Sequence, residues 1–83
     1  MTHMLKIKKQ FADAVQDGTK TFEIRKNDKN FHVGDKIIFS VVADNNADDM
    51  VAHPLTGAVY LITYILTGWG LEDGYAALGI RRE

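Results

Sequence analysis

Gly18-Thr19-Lys20-Thr21-Phe22-Glu23-Ile24-Arg25 organises the reading of this chain, because the hydrophobic period changes across it. Before it, Phe11 and Val15 stand at i and i+4 beside Ala12 and Ala14. That spacing predicts a short helix over residues 10–17, packed on a sheet through Phe11 and Val15. Gly18 is placed to end the helix as its C-cap. From residue 19 to 26 the pattern alternates instead, with Phe22 and Ile24 on one face and Thr21, Glu23 and Arg25 on the other. A period of two predicts a strand. A cation, an acid and a guanidinium, Lys20, Glu23 and Arg25, are thus carried from a helix end along one strand.

On the N-terminal side, His3, Leu5 and Ile7 alternate with Met4, Lys6 and Lys8, predicting a first strand over residues 2–8 with a mostly apolar face and a largely basic one. On the C-terminal side, residues 27–30 read as a polar loop and Val33-Gly34-Asp35 as a turn. The Ile, Val and Phe of residues 36–43 predict a third strand. The acidic run 44–49 reads as a solvated loop that tolerates insertion. His53-Pro54-Leu55-Thr56-Gly57 marks a turn, residues 58–66 a long strand able to bend, and Thr67-Gly68-Trp69-Gly70 its end. Residues 75–80 form a last strand with Ala76, Leu78 and Ile80 inward. The expected order is β-α-β-β-β-β: an α+β fold in which a curled sheet of about five strands is capped by one short helix.

The 83 residues suffice for a single domain over 1–83 with one modest core. The composition, 46% hydrophobic and 25% charged, is that of an ordered globular protein. No cysteine is present, which excludes disulfides, thiolate metal sites and a cysteine nucleophile. No apolar run approaches the ~20 residues that span a bilayer, so no membrane partner and a cytoplasmic location are expected. The net charge of −1 hides an asymmetry. Residues 1–36 carry eight basic against five acidic side chains, whereas residues 37–80 hold no Lys or Arg and five acids. A basic face is compatible with the acidic total.

Each chemical candidate has a structural reading beside its functional one. Lys20, beyond a helix C-terminus, satisfies the macrodipole, or offers its charge to a phosphate or a donor to a base carbonyl. Glu23 and Arg25, two residues apart, form a structural pair. Alternatively, Arg25 grips a phosphate or base edge while Glu23 accepts from an exocyclic amine or orients Lys20. Lys26 and Asn27 solvate a loop or extend a phosphate track. His3 shares a face with Leu5 and Ile7 and is either a core-edge histidine with a satisfied hydrogen bond or a ligand contact. Trp69, between Gly68 and Gly70, has room to be an exposed stacking platform. His3, His32 and His53 lack short ligand spacing, so neither a metal nor a cofactor is expected.

The pattern Gly-x-Lys-x-x-Glu-x-Arg at residues 18–25 resembles the signature of the ASCH (activating signal cointegrator homology) superfamily, which is built on a PUA-like barrel. Val33-Gly34-Asp35 before Ile37, Ile38 and Phe39 is similar to the Gly-Asp turn and third strand of such proteins. With His3-x-Leu5-Lys6-Ile7, Thr21 to Asp28, Tyr64-Ile65-Leu66 and Gly74-Tyr75-x-x-Leu78-Gly79-Ile80, the resemblance covers nearly the whole chain and points to a compact, often phage-associated branch. The resemblance implies a small PUA-like β-barrel that binds RNA or a modified nucleotide in a cleft between helix end and barrel strands. His3, Gly18, Lys20, Glu23, Arg25, Lys26, Asn27 and Trp69 would be its contacts. Some relatives hydrolyse acylated nucleosides with a lysine and a threonine three positions later. Lys20 matches that lysine, but Glu23 occupies the threonine position. The alternatives are therefore such an amidohydrolase, with Lys20 as activating group and Thr21 or a water attacking, and a phage-derived protein-interaction module. No catalytic residue is assigned.

Overall fold

The computed structural model describes residues 1–83. Its elements are β1 (Thr2–Lys8), α1 (Lys9–Gln16), β2 (Phe22–Lys26), β3 (Lys36–Ala43), β4 (Asn46–Met50), β5 (Val59–Thr67) and β6 (Tyr75–Arg82). The fold is α+β, one helix on a single six-stranded sheet of order β1-β3-β5-β6-β2, with β4 paired to β3 off that path. β1 runs parallel to β3, and every other pair is antiparallel. β1 and β2, the two ends of the path, do not pair. The expected α+β sheet with one helix is present, but it has six strands where about five were expected, and it does not close into a barrel, staying open between β1 and β2.

β1 shows the alternation read from its sequence, with His3, Leu5 and Ile7 buried and Met4, Lys6 and Lys8 exposed. β6 likewise turns Ala76, Leu78 and Ile80 inward. Phe39, Ile37, Leu55, Ile62 and Leu78 are the largest fully buried side chains, and the hydrophobic cluster they anchor includes Ala12 and Val15 of α1. Packing of this face, not intrinsic propensity, holds so short a helix. Phe11 is only half-buried, so Ala12 replaces it as the partner of Val15 against the sheet. The helix ends at Gln16 with Asp17 as its C-cap, one residue earlier than expected, and Gly18 follows the cap with φ +86°, a conformation open to glycine at no steric cost. Thr19 and Lys20 then close onto the helix end: the Lys20 N–H donates to Ala14 O (3.0 Å). β2 therefore begins at Phe22, later than residue 19.

One further correction concerns the C-terminal half. The acidic run is not a loop: residues 46–50 form β4, a hairpin partner of β3 with a register shift between Val42 and Ala43. All five residues of β4 are exposed. A strand with no buried face has no alternation to read, because only backbone pairing specifies it. β5 bends where its register against β6 shifts between Ile62 and Tyr64, as its length allowed.

Asp35 ties the start of β1 to the turn before β3. Its carboxylate accepts from the Met1 amino group (3.2 Å), from the His32 N–H (3.0 Å) and pairs with His3 Nε2 (2.8 Å). The His3 bond, chiefly, with the His32 amide and the terminal amine, holds this carboxyl at about 2, below its ordinary 3.8. A second His–carboxylate contact fixes the loop before β5 to the helix. The Leu55 N–H donates to His53 Nδ1 (3.0 Å), which leaves Nε2 to donate to Asp13 Oδ1 (2.7 Å). That bond and the one from Lys9 lower the Asp13 pKa. No helix is long and apolar enough to cross a membrane.

Candidate functional site

The opening between β1 and β2 is a cleft of about 480 Å³. β1 contributes Lys6, Ile7 and Lys8; β2 contributes Phe22, Glu23, Ile24 and Arg25; Phe11, Lys20, Val42 and Ala47 complete the wall. This is the size of a small-molecule site, apolar in its walls with a few converging polar groups.

The polar centre is Glu23, 4% exposed. β2 turns its polar face inward: Glu23 is buried and Arg25 half-buried, while Phe22 and Ile24 are half-exposed. This inversion follows from position, because the inward face of β2 borders the unclosed seam and not the hydrocarbon centre. The Glu23 carboxylate is flanked by two cations. Lys20 Nζ donates to Oε1, and Arg25 Nη1 lies 3.5 Å from Oε2. Each cation also caps a backbone carbonyl: Lys20 Nζ donates to Phe22 O (2.7 Å), and Arg25 Nη1 to Lys6 O (2.8 Å). The Arg25 bond therefore spans from β2 to β1 where no ladder exists.

Two cations around one carboxylate leave the centre net positive. Lys20 Nζ also sits 4.9 Å from the Phe22 ring centroid and 5.3 Å from that of Phe11, within cation–π range of both. Arg25 spends only Nη1 on the protein, so Nε and Nη2 keep their donors. Lys6 and Lys8 add charge on the β1 side. Chemically, the arrangement can bind an anion against its cations, offer the apolar surface of Phe11 or Phe22 to a flat body, and present donors and an acceptor to a base edge. No hydroxyl, thiol or imidazole lines it.

Of the residues singled out from sequence, the fold brings Lys20, Glu23 and Arg25 into this cleft and leaves the other five outside its lining. His3 is 6% exposed, bonded to Asp35 and edge-on to Phe31 at 4.7 Å. It is the satisfied core-edge histidine, and β1 supplies Lys6 and Lys8 in its place. Gly18 shapes the helix end. Lys26 is exposed at the end of β2, and the Asn27 N–H donates to Gly74 O (2.7 Å). Trp69 is 90% exposed in the turn between β5 and β6, with φ +53°. Thr21 does not line the cleft either. Reading residue by residue missed Lys6, Lys8, Phe11 and Phe22. The basic face of β1 was the signal for the lysines, but only the seam shows that it meets β2. No group of three or more His, Asp or Glu is placed to hold a metal ion.

No curated protein matches the chain. Residues 2–80 match a family described as a domain of unknown function. Nearly the whole fold, from the start of β1 through the core of β6 and including every residue of the cleft, lies within that match, and the chain belongs to this family, DUF3850.

Proposed function

We propose that the protein binds RNA or a modified nucleotide, taking one nucleotide unit into the cleft between β1 and β2. The observation that carries this reading is the Lys20–Glu23–Arg25 centre in a cleft that Phe11 and Phe22 also line. A base stacks on the half-exposed ring of Phe22, where a π-face packs whatever its identity. Arg25 Nε and Nη2 and the Glu23 carboxylate address its edge, and Lys6 and Lys8 meet the phosphate. The resemblance of residues 18–25 to the ASCH signature agrees with this reading, and the open sheet is taken as a reduced form of the PUA-like barrel. Binding is favoured over deacylation because Lys20 is engaged by Glu23 and Phe22 O, and a nucleophile would have to be water.

The test is titration of isotope-labelled protein with short single-stranded RNA and, separately, with modified nucleosides and nucleotides, following backbone amide shifts at two salt concentrations. Salt-sensitive shifts confined to residues 6–11, 20–25, 42 and 47 are expected. Lys8→Glu, on the exposed side of the cleft, is expected to abolish most of the RNA response in a folded protein. Still amides throughout, or unchanged affinity in Lys8→Glu and Phe22→Ala, would defeat the reading.

A further inference from the structure

The outer face of β5, β6 and β2 carries a second, independent feature. Register places Tyr64 of β5 and Phe22 of β2 on either side of Gly79, and Leu66 and Ile24 on either side of Ala77. All six belong to the outward set, since Leu78 and Ile80 beside them point into the core. The face is therefore a trough: small residues along β6, large apolar ones on both banks. A Cβ at Gly79 would meet Thr63 Oγ1 at 3.1 Å and Tyr64 Cβ at 3.4 Å, so the trough floor at that point is already full without a side chain.

Nothing in the chain covers this face. Phe22, Ile24 and Tyr64 are 45, 50 and 65% exposed. With half-buried Leu61, Leu66 and Tyr75 they leave on the order of 500 Å² of continuous apolar surface, at the upper end of what a monomer shows. The charged ends extend it toward the ~800 Å² per partner of a stable interface.

The ends of the trough carry opposite charge. Exposed Glu72 and Asp73 precede β6, while Arg81, in the outward set with Ala77 and Gly79, finishes it; Arg82 belongs to the alternate set and turns to the helix side, where its Nη1 donates to Gln16 Oε1 (3.3 Å). Lys26 lies beside Tyr75 but leaves the first end net acidic. Glu83 at the second end is paired with Lys36 (3.2 Å). Ala77 is midway between the two ends. A two-fold axis above Ala77, running across the strands, sets the acidic end of one copy on the basic end of the other, twice, and brings Leu66, Ala77 and Ile24 of each copy opposite their own counterparts. We propose that the occupant of this trough is a second copy of the chain, and that the protein is a two-fold dimer through β5, β6 and β2. The cleft borders this interface through Phe22 and Ile24 without being filled by it.

Sedimentation equilibrium of the full chain, from micromolar to near-millimolar concentration, tests the proposal. A reversible monomer–dimer equilibrium is expected, weakened by Ala77→Glu at least about 100-fold, since two unpaired carboxylates would meet at the axis. Charge reversal separates this from loss of folding. Arg81→Glu and Glu72→Lys/Asp73→Lys are each expected to be folded monomers by circular dichroism, and a one-to-one mixture is expected to restore the dimer. A wild-type chain that stays monomeric throughout overturns the proposal, as does dimerisation indifferent to Ala77→Glu, or a mixture of the two reversed variants that does not associate.

Discussion

Two buried carboxylates bracket β1, and they are satisfied in opposite ways. At its start, Asp35 is enclosed by His3, the terminal amine and the His32 amide, and these contacts join segments already packed by the core. Further along, Glu23 is held by Lys20 and Arg25, whose own bonds reach Phe22 O and Lys6 O across an unpaired seam. The first arrangement closes a corner and leaves nothing over. The second leaves two guanidinium nitrogens and an aromatic wall facing a cleft. A buried charge thus serves stability at one site and holds donors in waiting at the other, and what separates them is whether the surrounding strands are paired.

The largest effect should come from breaking the seam side. Glu23→Ala strands two partly buried cations and is expected to cost about 3 kcal/mol, read by urea unfolding at neutral pH. If Glu23→Ala melts with the wild type, the two carboxylates do not differ as argued. Asp35→Asn probes the closed corner through pH. Because its folded value, about 2, lies below the ordinary 3.8, Asp35 contributes stability that is complete above ~4 and is lost as pH falls through about 2. Wild type and variant should therefore differ most at neutral pH and converge as pH falls below about 2 in unfolding titrations; a constant gap would contradict the assignment.

Arg25→Lys keeps the charge but not the fork that reaches both Glu23 and Lys6 O. It is expected to cost about 1 kcal/mol and to speed amide exchange at the cleft edges of β1 and β2 more than at β6. The smallest change in stability belongs to Lys8→Glu, within about 0.5 kcal/mol, although this variant carries the largest expected loss of RNA response.

What the chain disclosed in advance follows the same division. Where a strand has one face on hydrocarbon, as in His3-Leu5-Ile7 or Ala76-Leu78-Ile80, alternation reports burial directly. β2 defeats that logic, since Phe22 and Ile24 look inward-facing to any hydrophobicity argument while Glu23 and Arg25 occupy the interior side. β4 escapes it altogether, having no buried face. Lys20, Glu23 and Arg25 were legible as a unit because they are close in sequence. Lys6 and Lys8 were not, because their meeting with β2 depends on how far the sheet curls before it stops. His3 was drawn to the site by its chemistry and taken from it by Asp35, 32 residues away.

The parallel pairing of β1 with β3 also dictates an order of assembly. β5 and β6 are joined by a short turn and can zip locally, whereas β1 must wait for a partner 34 residues on, with α1 and β2 emerging between them. Loop closure of that length is the slow contact in so small a chain. The Arg25 bridge to Lys6 can form only after β1 has docked, so the cleft is expected to be the last part of the molecule to take shape during folding and the first to open when it unfolds.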